Sequence, residues 1–126
     1  MPDTPIAAFA AWLKERCEFL QNLEREAERL LQADHNTEKY KAMMCQKAMF
    51  IQALPEEAEK HLDGLPPEVA DMALGRLERF SRSASRALDI NSAFYMYALL
   101  YPEEHQKGQP NDLEVFTAEI AALAGK

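Results

Sequence analysis

Glycine is scarce, with four residues in 126, at positions 64, 75, 108 and 125. That scatter leaves no glycine-rich loop to cradle a phosphate, which excludes nucleotide binding through such a motif. Cysteine is scarcer: Cys17 and Cys45 stand alone, with no Cys-x-x-Cys pair and no flanking pattern that would activate a thiol. Of the three histidines, His35, His61 and His105, none has a carboxylate three positions earlier and no two are spaced as His-x-x-x-His. The Glu-x-x-His pairs of di-iron bundles are therefore missing. Glu57 and His61 share a helical face at i,i+4, and alone they read as ordinary surface residues. No catalytic residue, metal or cofactor is expected, and the chain reads as a non-enzyme. Long apolar runs are also lacking, and the N-terminal MPDTPIAAF has no basic stretch ahead of an apolar one. The expectation is a cytoplasmic protein without membrane insertion.

Positive charge is in the minority, with 14 Lys and Arg against 21 Asp and Glu and a net charge of -7. That balance repels phosphate backbones and argues against nucleic-acid binding as the main role. What the chain has in quantity is alanine, leucine and glutamate, within 48% apolar residues. These are helix formers, and the length suits one domain that buries its own core.

Apolar periodicity then predicts an all-α, antiparallel up-down bundle of three long helices with short connecting and C-terminal helices. Helix one starts with Thr4 as cap and Pro5 at the first helical position, runs to about Ala33, and carries Phe9, Leu13, Leu20, Leu23 and Ala27 on one seam interrupted by Arg16. Asp34-His35-Asn36-Thr37 is a turn, so helix two must fold back alongside helix one. Counted from that turn, Cys17 and Cys45 sit about 12 Å apart along the helices, too far for a disulfide, and both are expected as free buried thiols. Pro55 ends or kinks helix two, and a short helix follows to Leu62.

The third helix is expected to run from Pro67 unbroken to Tyr101, because Ala73, Leu77, Phe80, Ala84, Ala87, Phe94, Ala98 and Tyr101 hold coiled-coil register. Asn91 falls on that seam and reads as a buried polar residue fixing helix register. Arg76, Arg79, Arg82 and Arg86 wind along one side as a basic stripe, expected to pair with glutamates of helices one and two. Ser81, Ser83 and Ser85 beside it are small enough to admit a neighbouring helix.

From Phe94 to Tyr101 the helix is apolar on every side, so the C-terminal helix, a second copy or a partner must cover what the core does not. Tyr95, Tyr97 and Tyr101 are candidate partner-binding residues. Residues 102–110 form a polar segment expected to be a mobile loop, and 111–125 a C-terminal helix capped by Asn111 with Glu114. Its face of Leu113, Phe116, Ile120 and Leu123 is marginal alone and suited to docking on the bundle or on a partner.

Three stretches, LEREAERLLQAD ending helix one, KAMMCQKAMFIQAL with central Lys47, and LPPEVADMALGRLERF leading to Asn91, resemble flagellar export chaperones of the FlgN type over about residues 6 to 101. The resemblance implies a small cytoplasmic helical protein that holds a secretion substrate until export, with the C-terminal region as its binding part. The alternative is a homo-oligomeric structural or adaptor bundle.

Overall fold

A computed structural model describes residues 4–125. Six α-helices make up the fold, with no strand among the described residues: α1 (Pro5–Gln32), α2 (Thr37–Gln52), α3 (Leu54–Leu62), α4 (Pro67–Asp89), α5 (Ala93–Ala98) and α6 (Asp112–Ala124). The chain is thus an all-α helical bundle. Among the described residues no helix is long and apolar enough to cross a membrane.

Local chemistry sets the helix ends. The Thr4 hydroxyl accepts from the Ala7 N–H at 3.1 Å and Pro5 occupies the first turn, where its missing donor is harmless. After α1 the chain turns through His35, whose backbone is left-handed, and the Asn36 side chain caps α2 by accepting from Lys39 N–H. Pro55 then makes a kink: Ala53 ends α2 and its carbonyl accepts from Glu57 N–H at the start of α3. Beyond α3, Gly64 lies so close to α1 that a Cβ would meet the Pro5 ring at 2.9 Å.

Contacts between α1 and α2 run in opposite senses. Glu24 meets Lys47, and Phe19 stacks on Phe50 at 4.5 Å, so position falls along α1 as it rises along α2. That register keeps Cys17 and Cys45 apart, and both are free, Cys17 buried and Cys45 half-buried. Burial pushes the Cys17 thiol above its ordinary pKa, against a hydrogen bond with Thr117. On the other side of α2 packs α4, where Ser81 donates to the Gln52 carbonyl and the Gln52 amide donates to Ser85, both at 2.8 Å. Ser81 and Ser85 admit the neighbouring helix as their size suggests, whereas Ser83 is exposed on another side of α4.

The third long helix ends twelve residues before the expected Tyr101, at Asp89. Asn91 adopts φ +53°, its N–H reaches Leu88 O and the Ser92 N–H reaches Ala87 O. This pair of bonds is a Schellman stop, and Ser92 at once caps α5 through the Tyr95 N–H. Asn91 is exposed, so its assignment to a buried seam is corrected: its short amide tolerates the left-handed turn that redirects the chain. The seam holds through Ala87 and fails at Phe94, which faces solvent.

The C-terminal helix docks on its own bundle. Leu113, Phe116 and Ile120 are fully buried and Leu123 is half-buried against the same core. Asn111 and Glu114 form a complete reciprocal capping box, at 2.8 and 3.0 Å. Against α1, Gln21 bonds Glu114 and Cys17 meets Thr117; against α4, the Phe116 ring packs edge-on to Phe80. These four residues were expected as partner-binding; instead they pack into the chain's own core, where α6 lies against α1 and Phe116 reaches both Phe9 and Phe80. The 102–110 segment is built of turns, with His105 N–H on Pro102 O and Gln109 N–H on Gln106 O.

Candidate protein-binding surface

Helix α5 has six residues, too few to persist unaided, and its terminal carbonyls need partners. One comes from α2. Lys47, 1% exposed, donates its ammonium to the Tyr97 carbonyl at 2.8 Å and to Glu24 Oε2 at 3.0 Å. Tyr101 donates its hydroxyl to the same carboxylate oxygen at 2.7 Å, and its ring lies 4.8 Å from the Lys47 nitrogen. Burial pulls the Lys47 pKa below that of a free lysine, with Glu24 opposing, and pushes the Tyr101 phenol well above the ordinary tyrosine value. The Tyr101 phenol therefore keeps its proton at neutral pH, and Lys47 is placed by its two oxygen acceptors as a structural donor. A buried cation surrounded by a carboxylate, a carbonyl and two aromatic faces is a satisfied core charge, and it anchors α5 to the bundle.

So anchored, α5 turns its aromatic side chains outward. Phe94 is 74% exposed, Tyr95 55% and Tyr97 42%, and Ile90 at the end of α4 is 60% exposed. Phe94 and Tyr95 pack edge-on at 5.4 Å, while Ile90 and Tyr95 share a groove of about 450 Å³ floored by Ala87, Leu99 and Leu100. Of the three candidate tyrosines, Tyr95 and Tyr97 are on the surface as expected, whereas Tyr101 is half-buried and committed to Glu24. Ile90 and Phe94 were missed as surface residues. The local signal was Asn91-Ser92, a left-handed stop followed by a capping serine, which the apolar spacing running through it concealed.

The arginine stripe lies along the neighbouring side of α4. Arg76 bridges to Glu119 of α6 at 3.2 Å and covers the Phe116 ring at 5.1 Å. Pairing with glutamates of α1 and α2 is corrected: Arg76 takes its carboxylate from α6, α1 makes no backbone approach to α4, and α2, which packs on α4, forms no ion pair with the stripe among the described residues. Arg79, Arg82 and Arg86 are exposed and form no ion pair among the described residues.

Two other features were weighed. A polar cleft of about 480 Å³ opens between α1, α5 and the 102–110 turns, walled by Gln21, Glu28, Tyr97, Tyr101 and Lys107. At the far end of the bundle, His61 sits 5.0 Å from the Trp12 ring, and its imidazole is held below its ordinary pKa by burial and by the charges of Lys60 and Arg16. No group of three potential metal ligands is found among the described residues.

No protein-family model, curated protein or solved structure shows significant similarity to the chain.

Proposed function

We propose that this chain is a non-enzymatic, protein-binding helical bundle working in the cytoplasm, and that its binding surface is the corner made by the end of α4 and by α5. One observation carries the reading: Phe94 and Tyr95, on the α5 that a buried Lys47 holds in place, and Ile90 at the adjoining end of α4 are large, apolar and more than half exposed. Exposed aromatics on a rigid support are the composition of protein contact surfaces. In its concrete form the protein is a flagellar or type III export chaperone holding a secretion substrate. That form rests on the sequence resemblance and moves the binding element from the face of α6 to the α5 corner. The second reading is a homo-oligomeric adaptor that covers the same corner with a second copy, favoured by the edge-on pairing of Phe94 and Tyr95, which a symmetric contact could extend.

A photo-crosslinking amino acid in place of Phe94, with Glu18 on the outer face of α1 as control, separates the readings. A single heterologous product at position 94 and none at 18 supports the binding module. Self-crosslinks alone support the oligomer. No product at either position overturns both.

A further inference from the structure

The groove beside Ile90 and Tyr95 continues along α4. A smaller depression of about 200 Å³ is lined by Arg76, Arg79, Phe80, Asp112 and Val115, and Asp112 also lines the larger groove. Positions 76, 80, 83, 87 and 90 follow one another at steps of four and three, with 79 and 86 beside them, so the two depressions lie along one stripe of α4 and form one channel. At 1.5 Å per residue the stripe is about 21 Å long, or about four helical turns. Its floor is apolar, with Phe80, Ala87, Leu99 and Leu100. The far bank is Asp112 and Val115 of α6 and Tyr95 of α5, with Val115 and Tyr95 both exposed.

The near bank is basic. Arg79 and Arg86 stand along it without an ion pair among the described residues, while Arg76 is held by Glu119. In a chain of net charge -7 this bank is locally opposite in sign to the chain as a whole. The far bank offers one carboxyl, Asp112, raised in pKa by burial and opposed by Arg76 and His105, so it does not neutralise both free arginines.

Resting on the protein-binding reading, we propose that this channel receives an amphipathic helix of about four turns from a partner protein, its apolar stripe on Phe80, Ala87 and Leu100 and its carboxylates against Arg79 and Arg86. Guanidinium groups match carboxylates in geometry as well as in charge, so an acidic flank is selected over a neutral one. A second copy of this chain is a poorer occupant. The apolar stripes of α1, α2, α4 and α6 are already in its own core, and the large apolar side chains exposed on α1 and α2, Phe19 and Met49, belong to different helices.

The test is selection of displayed amphipathic 16-residue helices, with flanks varied from acidic through neutral to basic, against the full-length chain. Binding of the winners is then measured by fluorescence anisotropy at low and high salt. The expected result is enrichment of acidic-flanked peptides whose affinity falls with salt, falls at least about tenfold in Arg79→Glu/Arg86→Glu, falls in Tyr95→Ser, and is unchanged in Arg25→Glu on α1. Arg79 and Arg86 are exposed, and circular dichroism checks that the variants fold. Basic or neutral winners, an unaltered affinity in the double variant, or no enrichment above it overturns the proposal. So does a dimer in sedimentation that the double variant abolishes, which assigns the channel to a second copy. If selection fails while Phe94 still crosslinks to another protein, the channel's chemistry is wrong and the binding module stands; if both fail, both fall.

Discussion

The Lys47 ammonium donates to the Tyr97 carbonyl at 2.8 Å, across fifty positions of sequence, and so a side chain of α2 terminates α5. The same ammonium pairs with Glu24 of α1, which makes one buried cation the joint of three helices.

Lys47→Ala is expected to cost about 3–5 kcal/mol in chemical denaturation, because it leaves the Glu24 carboxylate with Tyr101 as its remaining hydrogen-bond partner and the Tyr97 carbonyl without one. The paired change Lys47→Met/Glu24→Leu should recover only part of that loss, because it removes the unpaired carboxylate but leaves the Tyr97 carbonyl and the Tyr101 hydroxyl without partners. A single-variant cost below about 1 kcal/mol would show that α5 is held by other contacts.

Phe116→Ala is expected to destabilise by about 3–5 kcal/mol, since the ring is fully buried between Phe9 and Phe80. Amide exchange at Phe116 and Ile120 should require global unfolding, and a chain ending at Glu104 should not fold. Fast exchange of α6 in an otherwise intact bundle would restore it as a detachable element.

Asn91→Gly should be neutral or stabilise by up to about 1 kcal/mol, because glycine takes the left-handed turn without a side-chain clash. Asn91→Val should lose about 1–3 kcal/mol there. If valine were tolerated without loss, α4 and α5 would join into one helix, which helix-specific amide exchange at Ile90 and Ser92 would reveal.

His61 gives the bundle an acid sensitivity of definite sign. Its pKa in the folded chain lies below the ordinary 6.5, so as pH drops beneath that value the unfolded chain takes up a proton that the folded chain resists. Stability is therefore lost on acidification from about pH 6.5 until the folded-state pKa is passed. In His61→Phe this part of the loss should vanish, and the ring should keep its place beside Trp12. Parallel stability curves for the two proteins between pH 5 and 7.5 would refute the assignment.

Helix ends set by neighbouring residues were legible in the sequence. Thr4 with Pro5, Pro55, and Asn111 with Glu114 each satisfy or remove backbone donors within one turn, so their effect needs nothing distant. The antiparallel turn at Asp34 to Thr37 also carried more information than was drawn from it. The counting that separated Cys17 from Cys45 places Glu24 and Lys47 level across the hairpin, and would have found the buried pair. Tyr95 and Tyr97 could be named as surface candidates because the tract around them is apolar on all sides.

The break at Asn91 and the fate of α6 were decided in three dimensions. Apolar spacing from Ala73 to Tyr101 fits a continuous helix as well as a broken one. In the broken one Asn91 and Ser92 N–H close the carbonyls of Leu88 and Ala87 at the break, and Lys47, brought from α2, caps Tyr97 at the far end of the short α5 that the break creates. Likewise the face of Leu113, Phe116 and Ile120 had the same pattern whether it met a partner or its own core. Capping energies belong to adjacent residues and are written locally, whereas burial is a sum over surfaces that only the assembled helices bring together.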